Sequence, residues 1–125
     1  MNSKISLILI SHKSKKLVLK YIKNIYNKIN IIIVDNSKDF SLEKEIKKNY
    51  PNIIFKFMNN NGYGAAINYG SKFVKTKYFI ISNPDLLGLN NNNIEIFYQS
   101  AITLNDNFSV LGPRFVNTNP KSIKQ

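Results

Sequence analysis

Asp35 and Asp85 each stand where an apolar run breaks into a polar turn. Ile31-Ile32-Ile33-Val34 leads into Asp35-Asn36-Ser37, and Tyr78-Phe79-Ile80-Ile81-Ser82 leads into Asn83-Pro84-Asp85-Leu86. Short runs rich in β-branched and aromatic residues suit strands buried on both faces, and Pro84 lacks the N–H that would carry a ladder further. Each carboxylate is thereby delivered to the carboxyl end of a strand. Only seven residues of the chain are acidic, so two at such positions stand out. In open α/β sheets ligands settle in the crevice beyond these strand ends, which makes Asp35 and Asp85 the first candidates for a binding site. A further stretch, Asn61-Gly62-Tyr63-Gly64, leads into a helix whose first N–H groups could meet an anion such as a diphosphate.

Other residue types narrow the chemistry by exclusion. Gly62 and Gly64 share the spacing that begins a dinucleotide-binding fingerprint, but the third small residue is replaced by Ile67, and the stretch follows the third strand instead of the first. A dinucleotide site of that kind is rejected. His12 is the one histidine and there is no cysteine, so His12 reads as a contact or surface residue and not as part of a zinc site. Asn68 lies inside the helix that Gly62 precedes, where asparagine is mildly unfavourable, and taken alone it says little.

The elements that must hold these residues follow from hydrophobic periodicity. Ile5 to Ile10 is a first strand, followed by the turn Ser11-His12-Lys13-Ser14, in which Ser14 can cap a helix. Val18, Ile22, Ile25 and Ile29 then form one apolar helical stripe, with Lys16, Lys20 and Lys23 on another face. Strand two is Ile31 to Val34. A short helix with Glu43 and Glu45 near its start follows, ending at Tyr50-Pro51. Ile53 to Met58 is a third strand, Ala65 to Lys75 a third helix, and the fourth strand carries Asp85. Ile94, Phe97, Ala101 and Leu104 repeat at helical spacing, and Phe108 to Leu111 is expected to start a fifth strand. Alternation of strands with helix-length crossovers predicts an α/β class fold, a three-layer α/β/α sandwich on a mostly parallel sheet.

Length and composition set the bounds. At 125 residues the chain fits a single domain over 1–125, with 113–125 expected as a ragged tail. The absence of cysteine removes disulfides and thiolate metal sites and agrees with a reducing compartment. Ile5 to Ile10 is too short to span a membrane and lacks a signal-peptide cleavage site, so a soluble, cytoplasmic protein is expected. The net charge of +11 would suit phosphate, nucleic acid or an anionic membrane surface. Every basic residue except Arg114 is Lys, however, and Asn and Ile are equally favoured, as biased coding would produce. No specific nucleic-acid recognition is expected from this pattern.

Four pieces in order resemble the nucleotide-sugar half of inverting family 2 glycosyltransferases, whose fold is called GT-A. They are the strand ending in Ser11-His12-Lys13, the Ile33-Val34-Asp35-Asn36-Ser37 turn with Asp39, Asn61-Gly62-Tyr63-Gly64-Ala65-Ala66-Ile67-Asn68-Tyr69-Gly70, and Asn83-Pro84-Asp85-Leu86. The Asn-Pro-Asp form resembles the rhamnosyltransferase-like branch, where it replaces an Asp-x-Asp motif.

The resemblance implies a Rossmann-like half with a set of roles. Asp35 would accept the imide N–H of a uracil or thymine base, with Ser11 and His12 as the wall beside it. Asn36, Asn61, Gly62, Asn68 and Asn83 would join Asp85 in contacting the nucleotide sugar. Asp85 would hold Mg²⁺ or Mn²⁺ on the diphosphate, a hard cation that often takes only one or two carboxylates with phosphate and water. Asn83, in place of an acid, departs from the metal-binding pattern. The implied donor is a UDP- or dTDP-linked sugar, and the implied acceptor a glycan or lipid-linked molecule in polysaccharide or glycan synthesis, with peripheral association at the inner face of the membrane. After Asp85 only Glu95 and Asp106 remain as acids, and neither is assigned as a catalytic base. The chain is thus expected to be the donor-binding portion of a truncated enzyme, and a non-catalytic nucleotide-binding module or a basic nucleic-acid-binding domain are its rivals.

Overall fold

The computed structural model describes residues 2–86 and 89–112, and the tail expected over 113–125 lies outside them. The elements alternate as β1 (Asn2–Ser11), α1 (Lys15–Lys23), β2 (Ile29–Asp35), α2 (Phe40–Asn49), β3 (Ile54–Phe57), α3 (Tyr63–Ser71), β4 (Tyr78–Ser82) and α4 (Asn91–Leu104). The strands form one sheet in the order β3-β2-β1-β4, and every neighbouring pair is parallel. From β1 the chain winds outward to β3, then returns across the sheet to β4. The direction of winding therefore reverses between β1 and β4, which opens a crevice at their carboxyl ends.

Burial explains why β1 and β2 are central. Leu7, Leu9, Ile31 and Ile33 point to one face, where they meet Val18, Tyr21 and Ile22 of α1, Leu42 and Ile46 of α2 and Ile94 of α4. Ile8, Ile10, Ile32 and Val34 point to the other, against Ala66 of α3 with Ile67, Tyr69 and Phe73 around it. Strands buried on both faces need continuous apolar sequence, and these two have it. On the edge strand β4, in contrast, Phe79 and Ile81 remain exposed on the α3 side. Helix α3 approaches the sheet closely at Gly70, where an added Cβ would lie 2.9 Å from Ile8 Cγ2 and 3.1 Å from Val34 Cγ2.

The three-layer, parallel α/β architecture expected from the sequence is the one observed, and three local expectations are corrected. Ile29 belongs to β2 and not to the helical stripe of α1. The helix stops at Lys23 and the chain turns through Asn27 at φ 66, so Ile25 and Ile29 reach the core from a turn and a strand. Ser14 occupies the N-cap of α1 but its hydroxyl makes no capping bond, being held by the His12 N–H and the Ser11 hydroxyl at 3.2 Å each. Phe108 to Leu111 forms no strand. Asn105 and Asp106, both left-handed, turn the chain back beside the start of β4, where Phe108 stacks on Tyr78 and Val110 is left exposed.

Candidate functional site

The rim at the carboxyl ends of the strands is built around Asp35. It pairs in register with Ser11 at the last rung of the β1–β2 ladder, and both residues are fully buried. One carboxylate oxygen, Oδ1, accepts the N–H groups of Ser37 at 3.0 Å and Asp39 at 3.1 Å. The Ser37 hydroxyl contacts both oxygens, at 3.2 Å to Oδ1 and 3.0 Å to Oδ2, and itself accepts the Lys13 N–H at 2.9 Å. A single side chain thus ties the turn after β1 to the turn after β2. Asp39 extends the device by capping α2, its Oδ1 accepting the Leu42 N–H at 2.9 Å. Among the described residues Oδ2 of Asp35 takes no bond except that from Ser37, which leaves it lone-pair capacity for one more donor.

A chain of polar groups then crosses the rim from β1 to α3. His12 Nδ1 lies 2.6 Å from Asn36 Oδ1, Asn36 Nδ2 lies 3.4 Å from Asn60 Oδ1, and that same oxygen accepts the Gly62 N–H at 3.4 Å. Its direction follows from Gly62, because a backbone N–H can only donate. Asn60 must therefore present oxygen, Asn36 must donate nitrogen to it, and the Asn36 oxygen must receive a hydrogen from His12 Nδ1. Neutral His12 is left with Nε2 as an acceptor on an exposed ring. Gly62, at φ 97 and ψ 165, holds a conformation that only glycine adopts readily, and it starts α3 at this rim.

Asp85 sits beyond β4, on the other side of β1 from Asp35. With strands about 4.8 Å apart, β2 and β4 are separated by about 10 Å, the two carboxylates flanking the crevice. Asn83-Pro84-Asp85-Leu86 forms a turn closed by the Leu86 N–H on the Asn83 carbonyl at 3.1 Å, with proline at its second position. Asp85 is exposed and its carboxylate makes no hydrogen bond or salt bridge among the described residues. It does face the start of α3. Burial, and then the Asp85 charge, hold the Tyr63 phenol above its ordinary value. The two ends of the crevice are therefore the Asp35 turn with its polar chain and the Asp85 turn with Tyr63.

Three of the other acids are committed elsewhere. Glu43 pairs with Lys47, Glu95 accepts from Gln99 along α4, and Asp106 pairs with Lys77 and Tyr78 at the amino end of β4, the opposite rim. No group of three His, Cys, Asp or Glu that could hold a metal occurs among the described residues. An uncommitted single carboxylate, with the Asn83 side chain exposed beside it, fits a cation that arrives with phosphate and water as its remaining ligands. A surface depression of about 840 Å³ along α4, lined by Glu95, Ile96 and Gln99 among others, shares no residue with the rim.

A model of the family described as glycosyl transferase family 2 matches residues 6–125. The chain belongs to that family. In fold, it is similar to the crystal structure of S. aureus TarS 1-349, with a TM-score of 0.63 at 18% identity over 82% of this chain. The aligned region spans 32% of that chain's length. No curated protein matches the sequence.

Within this family 2 framework the structure brings Ser11, His12, Asp35, Asn36 and Gly62 into one connected rim. Asn83 and Asp85 share the second turn. Asn61 is exposed beside that chain, whereas Asn60 is the residue that joins it. Asn68 is exposed within α3, where its carbonyl accepts the Ser71 hydroxyl. Ser37, Lys13 and Tyr63 lie within the sequence motifs but are given no role there, and the structure adds them to the rim. An Asp-x-Ser spacing at a strand end is a turn-forming signal and could have pointed to Ser37. Nothing in the sequence distinguishes Asn60 from its neighbours. No described helix is long and apolar enough to cross a membrane.

Proposed function

We propose that this chain is the donor-binding portion of a glycosyltransferase and holds a nucleoside diphosphate sugar across the rim from Asp35 to Asp85. The observation that carries this reading is the placement of those two carboxylates on either side of β1, at the point where the sheet's winding reverses, in a chain of family 2. Asp35 Oδ2, backed by an Oδ1 already satisfied by backbone N–H groups, accepts the imide N–H of uracil or thymine. Ser11 and His12 border the base, and His12 Nε2 offers a second acceptor. The sugar diphosphate lies toward α3 and Asp85, where the N–H groups at the helix start and a cation on Asp85 meet its negative charge.

Asp85 would hold Mg²⁺ or Mn²⁺, with Asn83 as its neighbour, and the cation would supply Lewis-acid stabilisation of the departing nucleoside diphosphate. Inverting transfer requires an acceptor hydroxyl on the opposite face with a base in reach. Asp39, Glu95 and Asp106 are held in other interactions, so we assign none of them that role. Sugar transfer to a glycan or lipid-linked acceptor, and attachment at a membrane surface, belong to the complete enzyme in this proposal. The same commitments favour, as a second reading, a module that binds nucleotide without turning it over.

A panel of nucleotides tests the base assignment. UDP and dTDP should bind at least about tenfold more tightly than CDP, whose ring presents an acceptor where uracil presents N–H, because the buried Asp35 acceptor would then face another acceptor. Equal binding of CDP, or preference for ADP or GDP, contradicts the proposal.

A further inference from the structure

We infer that Tyr21 of α1, acting through Ser82, is a positioning residue for the turn that carries Asp85. Tyr21 faces the sheet and is 9% exposed. Its hydroxyl donates to Ser82 Oγ at 2.7 Å, a buried bond between residues far apart in sequence. Ser82 is the last residue of β4, paired with Leu9 and 4% exposed. Its hydroxyl has one hydrogen, and with Tyr21 as donor that hydrogen points to the Asn83 carbonyl at 3.3 Å. The same carbonyl accepts the Leu86 N–H and so closes the turn.

Asp85 has no hydrogen bond of its own among the described residues, so its position is that of the turn's backbone. β4 is an edge strand, and no described strand on its outer side helps to fix the turn. The Tyr21-Ser82-Asn83 relay is what fixes it from beneath. A phenylalanine would fill the same space in the core without requiring a buried polar partner, so packing alone does not call for the hydroxyl. Burial pushes the Tyr21 phenol above its ordinary value, partly offset by the Ser82 bond, which keeps it a proton donor at any physiological pH.

The role in ligand binding rests on the reading above that Asp85 serves the diphosphate end, and the experiment separates the two. In the full chain, Tyr21→Phe and Ser82→Ala should each speed solvent exchange of the Leu86 amide, read by NMR, by about threefold to tenfold for loss of one hydrogen bond. The double variant should be no faster than either single, and Ser82→Thr should restore protection. The Asn36 amide, which donates to Ser11 at the other end of the rim, should keep its rate. With UDP, the gain in affinity on adding Mg²⁺ should shrink in Tyr21→Phe while metal-free affinity stays unchanged. An unchanged Leu86 rate in Tyr21→Phe, or equal acceleration of both amides, overturns the relay. A Leu86 response in a chain whose UDP affinity never depends on Mg²⁺ upholds the relay and rejects the metal role of Asp85.

Discussion

His12 Nδ1 and Asn36 Oδ1 are 2.6 Å apart, a hydrogen bond spanning the ends of β1 and β2. Because Gly62 N–H orients the amides behind it, the bond fixes the imidazole tautomer as well as the ring's position. Nitrogen NMR of the neutral ring should find the proton on Nδ1, and Asn36→Ala should abolish that preference. His12→Ala should weaken UDP binding by about twofold to tenfold, the value of one neutral hydrogen bond. A ring protonated on Nε2 in the unmodified chain contradicts the orientation of the whole polar chain.

Asp35 has two roles, and the choice of substitution separates them. Asp35→Asn keeps an oxygen for the Ser37 and Asp39 N–H groups and turns the second oxygen into a donor. It should cost about 1 kcal/mol of stability by denaturant unfolding, whereas Asp35→Ala leaves two N–H groups without their acceptor and should cost about 2–3 kcal/mol. Equal stability losses would mean that the carboxylate does not organise the turn.

Glycines along α3 should respond in opposite directions. Gly70→Ala drives a methyl against Ile8 and Val34 and should cost about 1–3 kcal/mol. Gly62→Ala should cost about as much through its backbone conformation. Gly64→Ala meets nothing within 4 Å inside the helix and should stabilise by about 0.5–1 kcal/mol. Thermal or denaturant unfolding of the three variants checks the order.

Tyr63 offers a reporter on Asp85 that needs no turnover. The Asp85 charge disfavours the phenolate, so neutralising it by Asp85→Asn should lower the Tyr63 titration midpoint toward its ordinary value, with the shift due to burial remaining. Mg²⁺ bound at Asp85 in the absence of nucleotide should act in the same direction. A midpoint that moves with neither change would separate Tyr63 from the Asp85 turn.

The apolar runs of β1 and β2 were legible because burial on both faces leaves little room for polar residues, and the aspartate ending β2 stands out by contrast. Asp85 was legible from the strand composition of Tyr78 to Ser82 and from Pro84, which marks the strand's end, although β4 proves to be an edge strand with Phe79 and Ile81 exposed and not one buried on both faces. Ile29 was misassigned because Val18, Ile22, Ile25 and Ile29 all reach one core, and helical spacing cannot tell a helix from a helix, turn and strand that share a face. Phe108 to Leu111 has strand composition, but a strand needs a neighbour, and the left-handed pair Asn105 and Asp106 sends the chain to the wrong end of β4. The links from Lys13 to Ser37, Asn36 to Asn60 and Tyr21 to Ser82 join residues distant in sequence. No local pattern encodes them.

The claim that Asp35 and Asp85 hold opposite ends of one nucleotide is tested most directly by calorimetric titration of UDP, with and without Mg²⁺, into the unmodified chain, Asp35→Asn and Asp85→Asn. Asp35→Asn should lose about tenfold to a hundredfold in affinity under both conditions while keeping the gain that Mg²⁺ confers. Asp85→Asn should bind UDP as the unmodified chain does without metal and lose the Mg²⁺-dependent gain. Loss of metal-free affinity in Asp85→Asn, or full affinity in a folded Asp35→Asn, would contradict the assignment of the two ends.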